Sequence, residues 1–83
     1  MENEKRENKT EEIIPLDEQK SIILGLIQGI QKELFNAQLL ERYFQRRVLV
    51  SSSFMVQLGN TQKGIRESKE YLSFLEEILR EEY

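Results

Sequence analysis

The chain has 83 residues, which is enough for one small domain. It contains neither cysteine nor histidine, so disulfides, thiolate or imidazole metal ligands and a histidine proton shuttle are all excluded. Its formal net charge of −3 argues against a general nucleic-acid-binding protein, because such proteins usually carry a basic excess.

The sequence also bears on the compartment. No apolar run approaches the roughly 20 residues that a membrane-spanning helix needs. The first residues, Met1 to Glu4, lack the apolar segment of a signal peptide. We therefore expect a cytoplasmic protein without a membrane span, and the absence of cysteine agrees with that compartment.

Residues 1–14 are predicted to be a disordered, charged tail, because most of them carry charges or amides and have little to bury. Residues 15–83 are predicted to form an interaction domain that begins with a helix. Asp17 is the expected N-cap, since its carboxylate can accept from free backbone N–H groups. Glu18 then lies in the positive first turn.

A long stripe of apolar residues at helical spacing dominates the rest of the chain. Its members step by three or four residues, which is the period of one helix face and not of a strand. Only Glu41 and Ser51 interrupt it. The stripe predicts one helix over about residues 17–58, roughly 60 Å long at 1.5 Å per residue. It comprises Ile23, Ile27, Ile30, Leu34, Ala37, Phe44, Val48, Met55 and Leu58.

Residues 48–58 are also compatible with a different structure. Two short apolar runs flank Ser51 to Ser53, as in a β-hairpin closed by a serine turn, and β-branched residues favour strands. The serines lack the Asn-Gly chemistry of tight hairpins. Val48, Met55 and Leu58 stay in phase with the helical stripe, so we favour a continued helix.

The clearest break in the pattern is at Gly59 to Thr61, because glycine suits a left-handed C-cap and the next residues can cap a new helix. A shorter helix then follows over about residues 61–82. Its stripe is Ile65, Leu72, Leu75 and Leu79, widened by Tyr71 and Ile78. The predicted fold class is all-α, a two-helix hairpin that assembles as a coiled coil or bundle. This architecture resembles the helical hairpins of small subunits in coiled-coil complexes.

The predicted second helix is too short to cover the first one. Folded back at Gly59, it reaches only to about Phe35. The densest apolar segment is then left bare, which soluble monomers rarely tolerate. We expect this segment to be an interface with a second copy of the chain or with another protein subunit. The interface residues are Ile22, Ile23, Leu26, Ile27, Ile30, Leu34 and Ala37.

Other features of the first helix leave alternatives open. Gly25 and Gly29 either allow the close approach of a partner helix or are tolerated surface glycines. Glu41 either fixes the register of packing or reaches solvent. A membrane-surface role for residues 22–30 is disfavoured, because an interfacial helix should carry basic residues along its polar face.

Arg42, Arg46 and Arg47, interleaved with Tyr43 and Phe44, form the only basic cluster. One interpretation is a phosphate or RNA contact, in which guanidinium groups and aromatic rings both take part. The other is surface charge that pairs with acids on the second helix or on a partner. The acidic chain favours the second interpretation.

The function predicted is non-enzymatic. Without histidine or cysteine the chain lacks the commonest catalytic bases and nucleophiles, and no cation-binding or phosphate-binding loop is present. We therefore expect no cofactor, metal or small-molecule substrate. The chain is predicted to be a small assembly or adaptor subunit that buries the apolar face of its long helix against partner helices. Alternatives are a nucleic-acid-associated regulator that uses the arginines, or an inhibitor or chaperone that masks a partner's surface.

Overall fold

The computed structural model describes residues 14–83, which fold into two antiparallel helices. Helix α1 comprises Leu16–Val48 and helix α2 comprises Met55–Glu82, with a 3-10 turn at Ser52–Phe54 between them. The molecule measures 63 × 23 × 18 Å, so it is an elongated rod. The predicted all-α, two-helix hairpin is confirmed.

Residues 1–13 of the predicted tail lie outside the described residues. Residues 48–58 contain no strand: they form the end of α1, the turn and the start of α2. The β-hairpin alternative for this stretch is therefore excluded.

The turn lies at residues 49–54 and not at Gly59. The predicted outer bounds, about 17 and 82, agree with the structure, but the predicted end of the first helix at 58 and start of the second at 61 were wrong. Hydrogen bonds at the end of α1 explain the position of the turn. The carbonyl of Arg47 accepts from the backbone N–H groups of Val50, at 3.0 Å, and Ser51, at 2.8 Å. The Ser51 side chain then accepts from the N–H of Ser53, at 3.3 Å. Serine oxygens of this kind compete with helical hydrogen bonds and favour a helix boundary.

Gly59 lies inside α2, and among the described residues no glycine has a positive φ. The turn uses only ordinary backbone conformations, with Ser51 extended and Leu49 right-handed helical. Periodicity alone cannot locate such a turn, because the apolar stripe stays in phase across it. Leu58 is half-buried as a member of α2, whereas Met55 is exposed.

The N-terminus of α1 also differs from the prediction. Pro15 occupies the N-cap position, and no side chain caps the helix there. Asp17 and Glu18 lie in the first turn, where their charges favourably face the positive end of the helix dipole. The side-chain amide of Gln19 donates to the carbonyl of Ile14 at 2.8 Å and ties the entering chain to the helix.

The core is a single seam between the two helices. On α1 its residues alternate in steps of four and three, and on α2 the half-buried Ser68 lies between Ile65 and Leu72 and keeps the same spacing, which is the pattern of a coiled coil. None of the described side chains is fully buried, so this core is thin. The buried residues are Ile27, Ile30, Leu34, Ile65 and Leu75, with Ile23, Ala37, Leu72 and Leu79 packed around them.

A hydrogen bond at the open end marks the register of the two helices, which the seam holds. The Tyr83 hydroxyl bonds to the side-chain carbonyl of Gln19. Counting inward by equal numbers of residues places Glu41 level with Thr61. Both are half-buried, so they form a polar layer within the seam. The Thr61 hydroxyl donates to the carbonyl of Gln57 in its own helix, at 2.8 Å.

The position of the turn changes which residues are covered. Helix α2 has 28 residues against 33 in α1, so it runs along nearly the whole of its partner. The prediction that the second helix reaches only to about Phe35 was wrong. Ile27 and Ile30 are 8% and 9% exposed because α2 already covers them.

Replacing Leu75 by alanine tests the seam. Leu75 is 5% exposed, the lowest value in the core. We expect Leu75→Ala to lower the free energy of unfolding by about 2–4 kcal/mol, because the side chain loses its contacts and leaves a cavity. Urea denaturation followed by far-UV circular dichroism measures the change. The matched control is Leu16→Ala, which removes the same atoms from a side chain that is 71% exposed. If both variants lost the same free energy of unfolding, the assignment of Leu75 to a buried seam would be contradicted.

Candidate protein-interaction surface

The seven residues predicted to form an interface fall into two sets. Five belong to the hairpin's own core: Ile23, Ile27, Ile30, Leu34 and Ala37. The other two, Ile22 and Leu26, are 46% and 44% exposed. Because the first set already contacts α2, only the second set is free to contact another molecule.

Ile22 and Leu26 share a simple position, since each immediately precedes a seam residue of α1. When two antiparallel helices face each other, the residues that immediately precede a seam residue in the sequence project to one side of the pair on both helices. The residues that immediately follow a seam residue project to the opposite side. Tyr71, Phe74 and Ile78 immediately precede seam residues of α2. All five side chains therefore lie on one flank, and we call them the apolar patch.

The apolar patch is compact along the rod. Counting inward from the Gln19–Tyr83 hydrogen bond places Phe74 level with Gln28, and Ile78 level with Leu24. The patch thus occupies a short stretch toward the open end of the hairpin, opposite the turn.

The aromatic members of the patch are substantially exposed. Tyr71 is 48% exposed and Phe74 is 51% exposed, whereas Ile78 is half-buried. The rings of Tyr71 and Phe74 are stacked, with centroids 6.3 Å apart and planes inclined by 16°. This contact joins the two rings into one broad apolar surface.

Gly29 lies beside the patch, because it also immediately precedes a seam residue. Gly25 lies one helical turn away. A Cβ atom added at either glycine would meet nothing within 4 Å. Within one hairpin, therefore, no neighbour requires glycine at these positions. A close approach at Gly29 would have to come from outside the hairpin that residues 14–83 form.

The opposite flank has a different chemistry. The residues that immediately follow the seam are mainly amides and charged groups, with Leu24 and Phe35 as its large apolar members. The polar members are Gln28, Gln31, Gln38, Arg66, Lys69, Ser73, Glu76 and Arg80. The hairpin thus has one flank with a concentrated apolar patch and one flank that water solvates well.

The arginine cluster does not converge on one point. Arg42 and Arg46 are four residues apart and share an outer face of α1, whereas Arg47 lies about 100° further around the helix. The Arg47 guanidinium lies over the ring of Phe54, 5.1 Å from its centroid. Phe54 in turn lies 6.2 Å from the ring of Phe44. Arg47 therefore contributes to the packing of the turn.

Further chemistry within residues 14–83 is sparse. No group of three or more carboxylates is placed to hold a metal ion there. Neither of the two helices has the length and apolar content required to cross a bilayer.

No protein-family model matches the chain, and no curated protein or solved structure is significantly similar to it. Its function must therefore be inferred from its own surface.

The sequence prediction contained part of this surface. Ile22 and Leu26 were included, but Phe74 was missed, and Tyr71 and Ile78 were assigned only to the stripe of the second helix. The sequence does contain a signal for these three residues, because Tyr71, Phe74 and Ile78 are spaced by three and four residues, the period of one helix face. They form a second stripe, offset by one residue from the stripe in the seam.

Two glycine substitutions separate the alternatives for Gly29. Gly59→Ala should raise the free energy of unfolding by about 0.5–1 kcal/mol, because alanine favours a helix and the site is open. Gly29→Ala should stabilise less, or destabilise, if a partner helix packs there. Thermal unfolding measured over a range of protein concentrations makes the comparison. Equal stabilisation at every concentration would identify Gly29 as a tolerated surface glycine.

Proposed function

We propose that this protein is a non-enzymatic protein–protein interaction module, a small assembly or adaptor subunit that packs against partner helices in a bundle. The observation that supports this most directly is the apolar patch. Ile22, Leu26, Tyr71 and Phe74 are exposed on a single flank of the hairpin, and the half-buried Ile78 lies on the same flank. Concentrated apolar surface of this kind is typical of interaction sites.

The thin core provides a second, independent reason. Each helix packs against only one neighbour within the described residues, and no side chain there is fully buried. Small domains without disulfides or metals are commonly stabilised by oligomerisation. Burial of the patch would add apolar contacts at the open end, where the hairpin has no covalent connection.

A second copy of the chain is the simplest partner. Two hairpins related by a twofold axis bury the same surface on each, and the product is a four-helix bundle. Gly29 beside the patch leaves room for a close helix–helix contact. The other candidate is a different subunit with an apolar helix face. In either case we propose that the assembly is cytoplasmic. The chain contains no cysteine, so its stability does not depend on disulfides, which the reducing cytosol would not maintain.

Substitutions that test the interface must spare the seam. Aspartate at Ile27 or Leu34 would introduce a charge into the hairpin's own core and unfold it, so loss of association would be uninformative. Leu26 and Phe74 are exposed in the single hairpin, and aspartate is tolerated there unless a partner covers the site.

We expect the wild type to be a dimer or larger at micromolar concentration. Leu26→Asp and Phe74→Asp should each raise the dissociation constant at least about 100-fold, because an unpaired carboxylate is costly to bury. Size-exclusion chromatography with light scattering measures the mass, and circular dichroism verifies that the helices remain folded.

The matched controls are Leu24→Asp and Phe35→Asp, which place the same charge at exposed apolar residues on the opposite flank. They should leave the assembly intact. Dissociation by the controls to the same extent would refute the location of the interface. A monomeric wild type would refute self-assembly. The hetero-complex would then be tested by affinity capture, comparing wild type with Phe74→Asp.

A further inference from the structure

Charge is separated along the rod. Residues 42–66, which form the turn and the adjacent parts of both helices, contain five basic residues and no acidic one. Residues 14–41 and 67–83 contain four basic and ten acidic residues. The five basic residues near the turn are Arg42, Arg46, Arg47, Lys63 and Arg66.

The same end of the rod exposes apolar side chains. Leu49 is 87% exposed, Val50 75%, Val56 69% and Met55 55%. We call these four residues the apolar tip. They lie in or directly after the turn, whose backbone is fixed by hydrogen bonds to the Arg47 carbonyl and the Ser51 side chain. The apolar side chains of the tip therefore project from a defined backbone.

We propose that the apolar tip binds the surface of an anionic lipid bilayer, with Arg42 and Arg46 contacting the headgroups. This inference goes beyond the proposed assembly function and does not depend on it. Apolar groups of interfacial proteins enter about 5–10 Å into the boundary between headgroups and acyl chains. Arg46 and Arg42 lie about 5 Å and 11 Å from Leu49 along the helix axis. When Leu49 is inserted, the guanidinium groups are at the depth of the lipid phosphates and carboxylates.

The combination of features favours a lipid surface over a nucleic acid. Binding to phosphates alone would use the basic residues and leave the apolar tip in water. Phe54, the aromatic ring within the turn, is half-buried under Arg47 and does not offer a free stacking face. Four exposed apolar residues ringed by cations match the two requirements of an anionic membrane surface.

The tip and the apolar patch do not compete for space. Counting along α1 from Leu26 to Leu49 places them roughly 35 Å apart. A bundle assembled through the patch still has its tips free. If the tips project from the same end, several weak membrane contacts act together, and the effective affinity increases.

A single tryptophan reports insertion directly, because the natural chain contains none. Leu49→Trp places the reporter at the tip, and Leu16→Trp places it at the opposite end, where the side chain is 71% exposed. With vesicles of phosphatidylcholine and phosphatidylserine, we expect a blue shift of fluorescence for Leu49→Trp and none for Leu16→Trp. Vesicles of phosphatidylcholine alone should shift neither.

Vesicle co-sedimentation tests the two chemical components separately. The paired changes Leu49→Ser with Val50→Ser, and Arg42→Gln with Arg46→Gln, should each weaken binding to the phosphatidylserine vesicles at least about tenfold. Arg47 is left intact because it packs on Phe54.

The matched controls are Leu16→Ser with Phe35→Ser, and Lys20→Gln with Lys32→Gln, all at exposed positions away from the tip. The proposal is supported if these control variants bind the phosphatidylserine vesicles as strongly as the wild type does, while the two tip variants bind more weakly. The proposal is overturned if the wild type does not sediment with phosphatidylserine vesicles, or if controls and tip variants lose binding equally. Another result would also overturn it: the wild type binds an oligonucleotide in a salt-sensitive way but does not bind vesicles, and the variant with Leu49→Ser and Val50→Ser binds the oligonucleotide equally well. The basic residues would then be assigned to nucleic-acid binding.

Discussion

Burial of one narrow seam between α1 and α2 stabilises the hairpin, and every other feature of the structure depends on it. Within residues 14–83 there is no third layer, so each helix has only one face that the other can cover. The five buried residues lie on that face. Apolar side chains on the other faces are left largely uncovered within residues 14–83, and their distribution around the seam determines what this surface can do.

The turn decides which residues the seam contains. Had α1 continued to residue 58, the open end of the first helix would have been bare and Ile27 and Ile30 would have been available to a partner. With the turn at residues 49–54, α2 covers them, and the free surface moves to the flank that Leu26 and Phe74 share. A displacement of the turn along the chain thus exchanges core residues for interface residues.

The two ends of the rod have opposite character. The open end is acidic and bears the apolar patch, whereas the turn is basic and bears the apolar tip. Their separation along a stiff helical pair allows one end to pack with protein while the other contacts a surface. If both proposed contacts form, the hairpin is a spacer with two contact sites, a role that requires length and not a large core.

The sequence alone determined the helical class and the seam of α1, because apolar residues spaced by three and four have a physical meaning only on a helix. It could not locate the turn, since the stripe runs in phase through Ser51 and the boundary depends on the hydrogen bonds that Arg47 and Ser51 make. The period placed Ile27 in the stripe and Leu26 beside it, but it could not show what covers the stripe, so both residues were assigned to the interface. Only the packing of α2 against α1 decided that one is core and the other surface, because burial depends on where the second helix lies.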